Sequence, residues 1–185
     1  MAKDLQSYIG MIEREYPHHL VRIKKEVDPL SHEVAAVLKH LTNENRHPIV
    51  LFEAVKNVAR NRSAFPYVDN LYSTRQLCAI ALGLAPDNCK LGLSVEFAKR
   101  EAGSIEPLIV DRADAPVKDV VRVGDEVDVR ELPAGRYHEM DVGPYLTMTD
   151  IMKADDGFYD VSFVKHLMNG AFCLQLANQC RRLRF

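Results

Sequence analysis

The chain has 185 residues, and its 24 Lys and Arg stand against 26 Asp and Glu, a formal net charge of -2. With 47% hydrophobic and 27% charged residues it has ordinary globular usage, which excludes a disordered chain, because those combine low hydrophobicity with large net charge. The balanced charge excludes nucleic-acid binding through bulk positive charge, and a chain this long buries roughly 70% of its unfolded surface, enough for one core or two small ones.

The four cysteines, Cys78, Cys89, Cys173 and Cys180, form no C-x-x-C pair. They read as ordinary thiols rather than as a zinc site. The opening MAKDLQSYIG carries a lysine at position 3 and no apolar stretch, unlike a secretory signal. No window is long and apolar enough for a membrane-spanning helix, so a reducing, cytoplasmic setting is expected.

In chain order, Asp4 is placed to cap a helix whose apolar face is Leu5, Tyr8, Ile9 and Ile12, and Pro17 stops it. Leu20–Ile23 reads as a short strand and Asp28-Pro29 as a turn. Ser31 is expected to cap a second helix with Val34, Val37, Leu38 and Leu41 on one face. Ile49–Phe52 is a short apolar run that reads as a buried strand, and another strand is expected near Phe65–Val68. Ser73 or Thr74 caps a helix through Leu77, Cys78, Ala81 and Leu82, ended by Gly83. A further helix covers Val95–Glu101.

The pattern changes near residues 105–115. Val117, Val120, Val121, Val123, Val127 and Val129 form a β-branched series around Gly124-Asp125, which predicts a hairpin. Tyr145–Thr149 starts a strand after Gly143-Pro144, and Asp155-Asp156-Gly157 is a tight turn. Phe158–Val164 is the strongest strand signal in the chain, so the last two strands predict a β-hairpin. The chain stops at Arg181-Arg182-Leu183-Arg184-Phe185, where three arginines suit a solvated helix end.

Most motif searches are negative: the sequence has no G-x-G-x-x-G, P-loop, G-x-S-x-G or H-E-x-x-H. His18-His19 reads as an exposed pair, and His32, His40 and His47 as solvent-face residues. Tyr137–Asp141 gathers a histidine and two carboxylates in a loop, either as a plain charged loop or as a metal or acid–base site. In the hairpin, Asp160, Ser162 and Val164 share one strand face, with Tyr159, Val161, Phe163 and Lys165 on the other. Asp160 is a carboxylate in an apolar strand, so it needs a cation, a metal or hydrogen bonds. Lys165 lies on the opposite face of a regular strand, and a bulge would bring it round.

Several segments together resemble a known family. Ile49–Lys56 is similar to its "LLFENVKG" strand, and Asn70–Arg75 with Ala81-Leu82-Gly83 to its "NLFGTRER…ALG" segment. Val127-Asp128-Val129, Leu132-Pro133 and Asp141–Thr147 are similar to its "VDL…LP" and "D-x-GPYIT" segments. Asp4-Leu5, Leu20–Ile23 and Glu26-Val27-Asp28 resemble its opening helix, strand and turn. In shared order and spacing these resemble the N-terminal portion of the UbiD family of decarboxylases.

The resemblance implies an α+β fold: an N-terminal α/β domain over residues 1–110, then the start of a flavin-binding split β-barrel over residues 111–185. It implies prenylated FMN and a divalent metal, usually manganese, as cofactors. It implies non-oxidative (de)carboxylation of an aromatic or α,β-unsaturated acid, with a hydroxybenzoate-type substrate. A flavin prenyltransferase would supply the cofactor, and full-length relatives form homo-oligomers. Within the family's N-x-x-x-x-R motif, Asp160 falls on the metal-binding Asn and Lys165 on the Arg that interacts with a catalytic glutamate. Ser162 and Phe163 fall on flavin-lining positions. Asp keeps an oxygen ligand and adds charge, whereas Lys keeps a cation but loses the bidentate fork.

The family's remaining metal ligands and its catalytic glutamates follow this strand. Here no histidine follows His166, residues 170–185 contain no acid, and Ala171–Phe185 resembles none of the family, as an out-of-frame or truncated end would. Two further readings stand beside the enzyme: a non-catalytic subunit or binding module keeping the N-terminal fold, and a fragment without a stable fold.

Overall fold

A computed structural model describes residues 4–103, 108–153, 155, 157, 159–169 and 174–176. In chain order the elements are α1 (Leu5–Glu15), β1 (Leu20–Ile23), α2 (Glu33–Asn43), β2 (Ile49–Phe52), β3 (Tyr67–Asp69), α3 (Arg75–Ala81), α4 (Leu91–Glu101), β4 (Tyr145–Lys153), β5 (Tyr159–Met168) and β6 (Leu174–Leu176), with single 3-10 turns between them. They form two three-stranded sheets, β1-β2-β3 and β4-β5-β6. Helices and sheets are mixed, as the sequence predicts, and no barrel closes among the described residues. No described helix is long and apolar enough to cross a membrane.

The chain divides into two compact units. The first comprises Met1–Ile23, Leu41–Leu51 and Val68–Val123. Its core joins Ile12, Ile49, Leu77 and Ile80, with Tyr8, Met11, Tyr16, Leu20, Val68 and Leu71 packed around them. Residues on α1 reach this core because they repeat at steps of three and four. The Asp4 carboxylate accepts the Ser7 N–H at 2.7 Å, giving one of the helix's orphan donors a partner. Leu5, expected on the apolar face, stands exposed at the first turn. At α3 the cap is Thr74, whose hydroxyl accepts the Leu77 N–H at 3.2 Å. Ser73 is occupied elsewhere, donating to the His47 carbonyl at 2.8 Å. Gly83 ends α3 with φ +75°, where a glycine carries no Cβ penalty. The next helix starts four residues earlier than expected, at Leu91. Cys78 and Cys89 are free, half-buried thiols.

The second unit comprises Lys24–His40, Phe52–Tyr67 and Gly124–Phe185. Its one buried carboxylate among the described residues is Asp28, which accepts from the Leu30 N–H at 2.9 Å, the Ser31 hydroxyl at 3.2 Å and the Arg60 guanidinium. That network corrects the expected cap of α2. Ser31 closes the Asp28 turn instead, His32 follows in the left-handed region at φ +62°, and the helix begins at Glu33. The Ser31 hydroxyl donates to Asp28 and its oxygen accepts from Arg60 Nη1 at 3.1 Å, so it serves this network rather than a helix N–H. The strand expected at Phe65–Val68 is displaced to Tyr67–Asp69, because Pro66 cannot donate to a ladder.

Gly135 sits against two tyrosines. A Cβ there would lie 2.7 Å from the Tyr67 hydroxyl and 2.8 Å from the Tyr137 ring. The two hydroxyls are 2.8 Å apart and hydrogen-bonded.

The hairpin expected around Gly124-Asp125 is absent. Residues 112–131 carry only 3-10 turns, and Val117, Val120, Val121 and Val123 are exposed. Five of the six valines, all but Val120, fall on odd positions and would share one strand face, yet Val117, Val121 and Val123 stand exposed and the segment forms no strand. The second expected hairpin is present as β4 and β5. Asp156, Phe158, Cys173, Cys180, most of Ala171–Phe185 and the terminal arginines lie outside the described residues.

Candidate functional site: the two faces of the β4–β5 ribbon

Strands β4 and β5 pair antiparallel, one residue to one residue, from Tyr145↔Leu167 to Lys153↔Tyr159. No bulge interrupts this register. Residues directly opposite share a face, and neighbours along a strand alternate. The register therefore sorts the four residues expected at the site. Asp160, opposite Met152, and Ser162, opposite Asp150, lie on one face with Val164 and His166. Phe163, opposite Thr149, and Lys165, opposite Thr147, lie on the other. The structure brings the residues together as two pairs, not as a quartet.

The face that carries Ser162, Val164 and His166 is largely covered. Val164 and Met168 are buried. His166 Nε2 lies 3.0 and 2.8 Å from the two carboxylate oxygens of Asp150, and the side chains keep only 12% and 18% exposure. Asp150 pairs with Ser162, so His166 stands four positions along. On a flat ribbon that is about 13 Å. A 2.8 Å contact across it means that the ribbon coils and this face is concave. The remaining imidazole nitrogen, Nδ1, is buried without a hydrogen-bond partner among the described residues.

The opposite face is open. Ile151, Val161 and Phe163 are 71%, 61% and 81% exposed. Tyr159 is also exposed, and the Lys153 ammonium lies 5.4 Å from the centre of its ring, within cation–π range. Lys165 is exposed on the same face. The face therefore combines apolar and aromatic surface with two cations, a chemistry that suits a flat anionic ligand.

Sequence reasoning missed Asp150 and His166. The signal was available: both are polar residues in apolar strands, the same argument that singled out Asp160, and parity puts His166 on the Asp160 face.

The other polar clusters have structural roles or lie apart. In the Tyr137–Asp141 loop, Asp141 accepts the Tyr137 and His138 N–H groups, each at 2.9 Å. Those bonds, His138 first, hold its carboxyl below the usual range. The carboxylate is thus spent on closing a turn. His18 and His19 have ring centres 4.2 Å apart, and burial, aided by His18, pushes the His19 imidazole down. His40 and His47 are exposed as expected, whereas His32 is half-buried and its Nε2 has no hydrogen-bond partner among the described residues. Among the described residues no group of three or more His, Cys, Asp and Glu could hold a metal ion.

Two consecutive family models match the chain: the 3-octaprenyl-4-hydroxybenzoate carboxy-lyase N-terminal domain over residues 13–91, and the Rift-related domain of the same carboxy-lyase over residues 108–171. The chain belongs to the UbiD family. The first sheet falls within the N-terminal match and the β4–β5 ribbon within the Rift-related match. The chain is 29% identical over 161 residues to a phenolic acid decarboxylase of Sedimentibacter hydroxybenzoicus, covering 85% of this chain and 32% of that protein. The closed form of the vanillic acid decarboxylase of the same organism superposes with a TM-score of 0.81 at 25% identity, over 95% of this chain and 37% of that one. An evolved dimeric form of the UbiD-class enzyme HmfF from Pelotomaculum thermopropionicum, in complex with prFMN, gives 0.79 at 26% identity, over 98% and 40%. The chain thus spans about a third of the length of the curated relative it matches.

Proposed function

We propose that the chain is the N-terminal part of a decarboxylase that uses prenylated FMN on a hydroxybenzoate-type aromatic acid, with the β4–β5 ribbon facing the flavin. The observation that carries this reading is the coincidence of the Rift-related match with a ribbon whose Ile151, Val161 and Phe163 are exposed beside Lys165. Relatives support it: one is a phenolic acid decarboxylase, and a UbiD-class neighbour holds prFMN.

The residues fit a flavin. When bound, prenylated FMN supplies the electron sink that loss of carbon dioxide requires. Phe163 offers an apolar wall to a planar ring and excludes water from it. Ser162, the other flavin-lining position that the resemblance implies, lies on the opposite face of the ribbon, so a flavin on the open face does not reach its side chain. Lys165 is the proposed catalytic cation. It holds positive charge where a carboxylate approaches, as a point charge rather than a two-pronged fork. Asp160 is the proposed manganese ligand. One oxygen does not make a site for a hard divalent cation, which takes about six ligands, so the described residues alone do not fit the metal. The same reading expects cofactor supply by a flavin prenyltransferase, homo-oligomeric assembly and a cytoplasmic setting.

The test is to coexpress the chain with a flavin prenyltransferase, purify it and record its flavin absorbance. Carbon dioxide release from 4-hydroxybenzoate and vanillate is then assayed. Retained flavin with turnover supports the whole reading, and retained flavin without turnover supports the cofactor site and rejects turnover by this chain alone. A folded chain that holds no flavin overturns the reading.

A further inference from the structure

Helices α3 and α4, both in the first unit, border an open groove of about 670 Å³. That volume lies within the range of about 300–1,000 Å³ typical of small-molecule sites. Leu82, Leu93 and Phe97 form apolar walls, and Tyr72 stands with them. Phe97 and Tyr72 are both more than half exposed. No acidic residue lines the groove.

One cation does. Arg75 is held in place by three neutral acceptors: Nε donates to the Cys89 carbonyl at 2.7 Å, and Nη2 donates to the Lys90 carbonyl at 3.0 Å and the Ser94 hydroxyl at 3.4 Å. No carboxylate pairs with Arg75 among the described residues, and its Nη1 donates to none of their acceptors. The guanidinium is therefore oriented without being neutralised. An oriented guanidinium recognises carboxylates through paired, charge-assisted hydrogen bonds. Exposed aromatic side chains favour an aromatic body by offset or edge stacking.

From these features we infer that the α3–α4 groove is a binding site for an aryl carboxylate of about two-ring size. Its carboxylate is held by Arg75 Nη1, and its rings lie between Phe97 and Tyr72. This inference does not rest on the decarboxylase reading, because the groove and the β4–β5 ribbon use different residues.

The experiment uses the full 185-residue chain without flavin. 2-Naphthoate and its neutral isostere 2-naphthamide are titrated by calorimetry, and backbone amide shifts locate the contact. Naphthoate is expected to bind about tenfold tighter than naphthamide, with shifts confined to α3, α4 and the turn between them. Arg75→Gln should abolish that preference. Arg75 also braces the Cys89 and Lys90 carbonyls, so circular dichroism must show the variant folded. Phe97→Ala leaves those bonds intact and should weaken both ligands about fivefold. Equal affinity for the two ligands, no binding, or shifts elsewhere would overturn the inference. So would concentration-dependent self-association that Phe97→Ala abolishes, since a second copy would then fill the groove. Loss of naphthoate binding with flavin still retained on coexpression would sink this inference and leave the decarboxylase reading standing.

Discussion

The two sheets differ most at their central strands. In the first, β2 is buried at every residue, with Ile49 and Phe52 fully enclosed. In the second, β5 alternates, with Val164 and Met168 buried and Tyr159, Val161 and Phe163 exposed. A strand enclosed on both faces contributes its apolar surface to its own fold. A strand that leaves large apolar side chains open on one face leaves them for something else to cover. The contrast separates residues that hold this chain together from residues available to a ligand.

The sharpest way to break that contrast is to truncate one phenylalanine in each sheet. Phe52→Ala should destabilise the chain by about 3–5 kcal/mol, through lost burial and the cavity left behind. Phe163→Ala should change stability by less than about 0.5 kcal/mol, as an exposed site does. Urea unfolding of the two variants measures both, and similar losses would erase the distinction.

A smaller effect is expected where backbone and side chains meet closely. Gly135→Ala should destabilise by about 1–3 kcal/mol through overpacking against Tyr67 and Tyr137. Adding Tyr67→Phe removes the nearest atom and should recover part of that loss, a non-additivity that a double-mutant cycle reads directly.

The concave face of the ribbon depends on the Asp150–His166 pair. Asp150→Leu or His166→Leu should each destabilise by about 1–3 kcal/mol, because each leaves a buried partner unsatisfied. Amide exchange along β4 and β5 should rise in both variants as the coil relaxes. Unchanged exchange would mean that the coil does not depend on the pair.

The mildest effect concerns acid. Burial tends to raise the Asp28 carboxyl, but the Leu30 N–H, Arg60 and Ser31 outweigh it and hold it below its ordinary value of 3.8. Asp141 is also lowered, by the His138 and Tyr137 amides. A lowered carboxyl stabilises the fold above its unfolded pKa, and that stability is lost as pH falls through the folded value. The urea midpoint should therefore hold steady from pH 7 to about 4.5 and decline below about 4. Asp28→Asn should flatten part of the decline.

Much of the fold was legible because short-range rules carried it. Asp4 and Gly83 announced their helix ends, Ser73 and Thr74 narrowed a third to two residues, the four apolar residues of β2 announced burial, and Gly157 marked the turn of the hairpin. Failures arose where distant groups competed. Ser31 looked like a cap, but its hydroxyl oxygen accepts from Arg60 and its proton goes to Asp28. The valines of 117–129 looked like strands, and all but Val120 share one strand face, but no strand forms there and four of them stand exposed. At the site, alternation alone separated Asp160 and Ser162 from Phe163 and Lys165, as the register bears out. The Asp150–His166 contact was not legible, because it depends on how far the ribbon coils. The Arg75 groove was not legible either, since two helices make it.

The most direct test of the account compares flavin content after coexpression with a flavin prenyltransferase, in the native chain, in Phe163→Asp and in Thr149→Asp. Both positions lie on the open face, directly opposite one another. The account predicts that the native chain retains flavin and that both variants lose most of it while keeping the native urea midpoint. Full flavin retention in both variants would contradict it, because the open face of β4–β5 would then not be the face that the cofactor covers.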